Sequence, residues 1–411
     1  MSLGILLVTT VNWPSSARLA GAFAGVGARV EALFPAGHVI GKSRFVAGQH
    51  LYSPYFPQSS LSCAIAKAAP DLIVPCDDRA LSLLLALQAQ APRGAFGALI
   101  ARSLGAVENY PTLLGRSDFI AAARALGIMA PETISLASED DLESALVRLG
   151  YPAVLKADGS WGGDGVAIVR NLDQARAAWR KFAVAPSRLR SLARAVLRHD
   201  AHFLRDAVHP PRVGVSLQRF VAGKPATSAF ACWKGRVLAT IHMDVLETLK
   251  QNGPASVMRR IECPQMEQAA VRIAERFVLS GLHGLDFVRD ASGQPHLIEI
   301  NPRATQTSAF AFGPGHDVAA ALAACVSPSV RGARPTATSN PILALFPQEW
   351  RRNPDSDWLR SAHLDVPWED PEVLRACLAP GEPAPKLPAA TGRGAASLAF
   401  AAGKTATRAP H

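Results

Sequence analysis

Apolar residues at the start of the chain gather in short unbroken runs at 5–8, 29–33 and 71–74, the mark of strands buried on both faces. Between the runs, over 15–25, 61–69 and 79–89, apolar residues recur at the three- and four-residue spacing of a helix with one buried stripe. This alternation predicts a small parallel sheet flanked by helices, an α/β domain over 1–109. Ligands of such sheets collect at the carboxyl ends of the strands, here 9–13 and 75–78. Asp77 and Asp78 in the second segment also read as ordinary helix caps.

From 110 onward the pattern becomes α+β. Helices are predicted over 117–126, closed by Gly127 and Pro131, and over 139–149, closed by Gly150. Strands at 151–155 and 166–169 flank a glycine-rich stretch. Segments 213–221 and 226–233 read as paired strands, and Lys234-Gly235 makes a turn into a strand at 236–242. An amphipathic helix over 265–279 is expected to pack beneath a hairpin at 284–303, with loops 305–308 and 313–315 beside it. Past 329 the periodicity fades. A strand is expected at 341–346, and Trp350, Trp358 and Trp368 lie among Pro, Asp and Arg, which implies an irregular cap over 329–379. From 380 Pro, Ala, Gly and Thr dominate, the composition of a disordered tail over 380–411.

With 411 residues and a hydrophobic fraction of 49%, the chain can build two or three cored domains. Its six cysteines are dispersed with no C-x-x-C pair, which favours reduced thiols in a cytoplasm over a disulfide framework or zinc site. No run approaches the roughly 18–20 apolar residues that span a bilayer. The opening MSLGILLVTT lacks a basic region and an A-x-A site, so it is expected to be a first strand and not an export signal. The net charge of +10 raises nucleic acid as a partner, but the basic residues are spread without aromatic interleaving, which argues against it. They concentrate only in a basic amphipathic helical insertion at about 183–212, with Arg188, Arg190, Arg194, Arg198, Arg205 and Arg212. A solvated face is the simpler reading, and a grip on an acidic substrate, a carrier or a membrane surface the other. His199 and His202 within it read as exposed helix residues, not metal ligands.

Two stretches carry chemistry. Lys156 ends the strand before Gly159-Ser160-Trp161-Gly162-Gly163-Asp164-Gly165. Glycines let backbone N–H groups approach phosphate oxygens, and the lysine supplies a point charge. The second stretch is the 284–303 hairpin. With a loop at 290–295 and Arg289 opposite His296, antiparallel register sets Asp286 across from Glu299. Period-two alternation turns Glu299 and Asn301 one way and Ile298 and Ile300 into a core. Two carboxylates and an amide are hard oxygen ligands suited to magnesium, and Arg303 adds a planar cation suited to a phosphoryl oxygen. Other motifs fail. Segment 37–43 has one residue too few between its glycines for a phosphate loop, and neither a G-x-G-x-x-G fingerprint nor a G-x-S-x-G elbow is present.

Together these residues resemble the ATP-grasp superfamily, in the ATP-binding core found in biotin carboxylase, the carbamoyl phosphate synthetase large chain and D-alanine ligase. The resemblance spans about 116–303 and implies a two-lobed ATP-grasp domain over 110–328. It implies that Lys156 contacts the α-phosphate and adenine side, that Gly159, Ser160, Gly162, Gly163 and Gly165 form the lid, and that the backbone of Gln218, Arg219, Phe220 and Val221 reads adenine. Asp286, Glu299 and Asn301 match the magnesium ligands, and Arg303 matches the arginine that steadies the transferred phosphate. Arg116 stands where a phosphate-binding lysine is usual. Gln218 replaces a common glutamate, and Pro225 lies near where a ribose-binding acid is common. The implied activity is an ATP- and Mg2+-dependent ligase, with Mn2+ able to substitute, that joins a small-molecule carboxylate to an amine through an acyl phosphate. The implied setting is cytoplasmic, without nucleic acid or a membrane span and open to homo-oligomerisation. Two alternatives stand beside it: phosphoryl transfer of the bicarbonate or carbamate type, and ATP binding without turnover.

Overall fold

The computed structural model describes residues 2–157, 165–183, 214–250 and 253–379. The lid residues Gly159, Ser160, Gly162 and Gly163, the basic insertion and the tail from 380 lie outside the described residues.

The first unit runs β1 (Gly4–Val8), α1 (Pro14–Gly25), β2 (Arg29–Pro35), β3 (Gly48–Tyr52), α2 (Pro57–Ala68), β4 (Leu72–Pro75), α3 (Asp78–Gln90) and α4 (Ala95–Leu104). Its strands are parallel in the order β3-β2-β1-β4, the kind of sheet that the alternation of apolar runs and helices implies. The edge strand β3 was not anticipated, because alternate residues such as Gln49 and Leu51 face solvent and no apolar run marks it. Segment 37–43 is a 3-10 turn at Val39–Lys42 behind the buried His38, whose ring bonds the Val11 carbonyl at 2.8 Å and accepts from the Ile40 amide at 3.0 Å.

The second unit begins with α5 (Tyr110–Leu114) and α6 (Arg116–Ala125) and continues with β5 (Thr133–Leu136), α7 (Asp141–Leu149), β6 (Ala153–Ala157), β7 (Val166–Val169), α8 (Leu172–Ala183) and β8 (Val215–Arg219). Its antiparallel sheet has the order β5-β8-β6-β7. Leu142, Leu146, Leu149, Leu155 and Leu217 form a core separate from the rest, whereas Phe119 and Ile120 of α6 share the other core, which also holds Phe277 and Phe287.

The remaining elements are β9 (Lys224–Trp233), β10 (Arg236–Thr248), β11 (Ala255–Ile261), α9 (Pro264–Phe277), β12 (Gly281–Arg289), β13 (Pro295–Asn301), α10 (Val318–Val326), β14 (Ile342–Ala344), α11 (Gln348–Arg352), α12 (Trp358–Ser361), β15 (His363–Leu364) and α13 (Pro371–Leu378). The strands form one sheet in the order β13-β12-β9-β10-β11-β14-β15. As expected, the amphipathic α9 packs Met266, Ile273 and Phe277 with Phe287, Leu297 and Ile300 under the hairpin. On the opposite face Val318 and Leu322 of α10 share a core with Ala229, Ile241 and the N-terminal Phe23.

Three expectations are corrected. Segments 213–221 and 226–233 do not pair: β8 joins β5 and β6 in the small lobe, whereas β9 lies between β10 and β12. The chain crosses between lobes at Gly223, where a Cβ would stand 2.1 Å from the Arg289 carbonyl, so a glycine is what lets the crossing lie against β12. In the hairpin, Arg289 faces Pro295 and not His296. A bulge at Ile298 restores the predicted Asp286–Glu299 pairing. It also breaks the alternation, leaving Ile298 half-buried while Leu297 and Ile300 fill the core. Finally, the stretch after 329 is stitched into the large sheet through β14 and β15, and Trp368 is 73% exposed, so it anchors nothing.

Candidate ATP site

The acidic hairpin is built by β12 and β13. Asp286 and Glu299 are cross-strand partners, as are Gly284 and Asn301, so Asp286, Glu299 and Asn301 share the sheet face opposite α9. Asn301 Nδ2 donates to Asp286 Oδ2 at 2.9 Å. Burial first, and the Glu299 charge second, push the Asp286 carboxyl above its ordinary range. Two carboxylates crowded in this way repel one another, and a divalent cation held between them would relieve that repulsion. Their oxygens fit Mg2+, and among the described residues no cluster of three or more His, Cys, Asp or Glu side chains exists that would complete a protein-only cage. Asn301 fits after rotation of its amide, because Oδ1 now accepts from Arg303 Nη2 at 3.1 Å.

The small lobe brings Lys156 to the same place. Its ammonium is buried and donates to the carbonyl of Ile298 at 3.3 Å, and the Gln218 amide reaches the same oxygen at 3.5 Å and Thr133 Oγ1 at 2.9 Å. The bulge therefore aims one carbonyl at both residues of the facing lobe. Arg116 at the start of α6 pairs with Glu299 Oε1 at 3.1 Å. The Gly165 carbonyl accepts from the Ala157 amide at 2.8 Å. Arg219, Phe220 and Val221 line a cavity of about 590 Å³ with Met129, Pro131, Glu132 and His296. Lys156, Asp286, Glu299 and Asn301 do not line it, although Asp290 and His296 of the same hairpin do, so the cavity and the charge cluster lie at different places along the hairpin.

Burial lowers the Lys156 amine to about 8 against the upward pull of Glu299. A lysine whose folded value is depressed carries its charge below that value and loses it above. The ATP kcat/KM is therefore expected to fall about tenfold per unit above pH 8, and a pH–rate profile of Lys156→Arg should lack that break.

Arg303 is the predicted residue whose surroundings differ most from a free phosphate grip. Its fork is held by Asp78, with Nε to Oδ1 at 2.9 Å and Nη2 to Oδ2 at 3.2 Å, and Nη1 donates to the Ala304 carbonyl at 3.2 Å. Asp78 opens α3, inside the 75–78 segment expected to face a ligand. Its neighbour Asp77 is the helix cap, accepting from the Ala80 amide at 2.9 Å and from Thr9, Thr10 and Val11. The P-C-D-D run after a buried strand was the one sequence signal for Asp78, and it did not separate the two acids.

Two α+β lobes face each other across a lysine, an arginine and an acidic hairpin, the layout of an ATP-grasp fold. Residues 122–307 match the family profile of the ATP-grasp domain, and that stretch of the chain is an ATP-grasp domain. Solved structures share the fold at low identity. The chain is similar to N5-carboxyaminoimidazole ribonucleotide synthetase from Thermus thermophilus, at 15% identity and a TM-score of 0.56 over 81% of this chain and 80% of that one. It is similar to the L-amino acid ligase of Bacillus licheniformis, at 17% and 0.54 over 82% and 79%. It is also similar to the biotin carboxylase domain of Hydrogenobacter thermophilus 2-oxoglutarate carboxylase, a dimer in complex with MgADP, ADP and bicarbonate, at 14% and 0.55 over 79% and 70%. No described helix is long and apolar enough to cross a membrane.

Proposed function

We propose that the chain is an ATP-dependent ligase that activates a small carboxylate as an acyl phosphate and joins it to an amine. The observation that carries this reading is the convergence of Lys156 and Arg116 on the Asp286–Glu299 pair from separate elements. A carboxylate oxygen attacks the γ-phosphorus in line, and the bond to the β,γ-bridging oxygen breaks to release ADP. The amine lone pair then attacks the acyl carbon, the C–O bond to phosphate breaks, and the amine loses a proton. Mg2+, or Mn2+ in its place, would be held by Asp286, Glu299 and Asn301 and would neutralise phosphate charge. Lys156 and Arg116 neutralise the remaining oxygens, and Arg303 lies where the γ-phosphate and acceptor meet. The lid after Lys156 excludes water that would hydrolyse the acyl phosphate.

In this reading 1–109 faces the acceptor, 110–328 holds the nucleotide and 329–379 braces the large sheet. Unpaired cysteines accord with a reducing cytoplasm. The same cleft would serve phosphorylation of bicarbonate, a reading favoured by the bicarbonate bound in one similar structure. ADP release across a carboxylate library, with and without a pool of amino acids and with bicarbonate as a separate arm, tests the reading. Release that needs both a carboxylate and an amine is expected, and release with bicarbonate alone favours the second reading. No ADP under any arm defeats both.

A further inference from the structure

We infer that Asp78 is a positioning residue for the cation site, holding the Arg303 fork so that this guanidinium does not settle on the Asp286–Glu299 carboxylates. The inference rests on the reading of the hairpin as a cation-assisted ATP site. Asp78, Arg303, Asn301 and Asp286 form one chain of hydrogen bonds with links of 2.9, 3.1 and 2.9 Å. The chain joins the rim of the N-terminal sheet to a cation ligand. Arg303 has five N–H groups. Those bonded to Asp78, Asn301 and the Ala304 carbonyl account for four of them, so the orientation of the arginine is over-determined.

The junction is fixed by backbone as well. The Ala304 amide donates to the Pro75 carbonyl at 3.0 Å. Gly284 lets the turn after Arg303 settle on β12, for a Cβ there would stand 2.4 Å from Thr305 Cγ2. Asp78 is also free of capping duty, which its neighbour Asp77 discharges. The other carboxylates within electrostatic reach of Arg303 are Asp77 and Asp286. Asp77 is already occupied by Thr9, Thr10, Val11 and Ala80. Without the Asp78 carboxylate, Arg303 turns toward Asp286. There it would cancel the charge a divalent cation requires and retain the Asn301 oxygen for itself.

Mn2+ titration of the full chain followed by EPR tests this. Asp78→Asn is expected to weaken Mn2+ binding about tenfold, the scale seen when an outer partner of a metal ligand is removed. Asp78→Glu should restore it. In an Arg303→Ala background the same Asp78→Asn change should shift affinity by less than about twofold, because its effect passes through the arginine. Equal losses in both backgrounds, as simple deletion of a negative charge would give, overturn the inference, and so does unchanged Mn2+ affinity in the single variant. Glu299→Ala separates the two levels. Mn2+ binding intact there removes the cation site itself, whereas binding lost there and kept by Asp78→Asn overturns only the role of Asp78. Melting of each variant without cation guards against unfolding, and an unfolded Asp78→Asn leaves the decision to Asp78→Ser measured in the same two backgrounds.

Discussion

Glu299→Ala is expected to lower ATP turnover by on the order of 1,000-fold, about 4 kcal/mol of transition-state stabilisation, because one truncation disturbs three parts of the site. The side chain faces Asp286 across the hairpin, holds Arg116 at 3.1 Å and pulls on the buried Lys156 ammonium. Its loss removes a cation ligand and lets Arg116 and Lys156 move from positions suited to phosphate oxygens. Folding should survive, for the side chain is 31% exposed and its charge disfavours the ionised form of Asp286. Stability is thus expected to hold or rise slightly while activity collapses. ADP release at saturating Mg2+, measured beside a thermal melt, checks both halves. Turnover above roughly a tenth of wild type with an unchanged melt would remove Glu299 from the mechanism.

The parts of this molecule that were legible in the sequence are those whose cause is local. The hairpin from β12 to β13 announces itself through turn residues and alternation, and its acids emerge as partners at the expected positions. The strands β1, β2 and β4 follow from apolar runs buried on both faces. The bulge at Ile298 was not legible, since its carbonyl is turned to Lys156 and Gln218 from another lobe. Nearness in sequence misled at β8 and β9, where a crossing between lobes passed for a hairpin because period-two patterns do not say which sheet a strand enters. Asp78 and Arg303 stand 225 positions apart, and nothing local links a helix-start acid to an arginine two residues past a distant strand. The two-residue edge strand β15 is too short for a periodic signal, whereas β14 falls within the strand expected at 341–346.

Glu349→Ala is expected to destabilise the protein by about 3–5 kcal/mol, because it removes one side of a buried ionic network and strands the other. Glu349 is fully buried at the start of α11. Its Oε2 accepts from Ser256 Oγ at 2.8 Å and Arg352 Nε at 2.7 Å, and its Oε1 accepts from Arg352 Nη2 at 2.7 Å and from Ser356 Oγ. These bonds tie α11 to β11 and to the loop before α12, so the carboxylate rivets the C-terminal stretch to the large sheet. Alanine leaves the Ser256 hydroxyl buried without its acceptor and Arg352 with only Glu247 at 3.4 Å. Burial alone would raise this carboxyl, but the bonds from Arg352, Ser356 and Ser256 outweigh it and the value falls below the usual glutamate range. Its contribution is therefore present above the unfolded value of about 4.3 and is lost as pH drops through the folded value. Denaturant unfolding of the two proteins should thus differ most near neutrality and converge in acid. A difference that stays constant with pH would assign the loss to packing, not to the ionised carboxylate. The same rivet supports the N-terminal unit, since Asp365 and Asp370 beyond it bind Arg18 and Ser43. Loosening α11 should accordingly lower protection of α1 from hydrogen exchange while leaving the separate core of the small lobe unchanged.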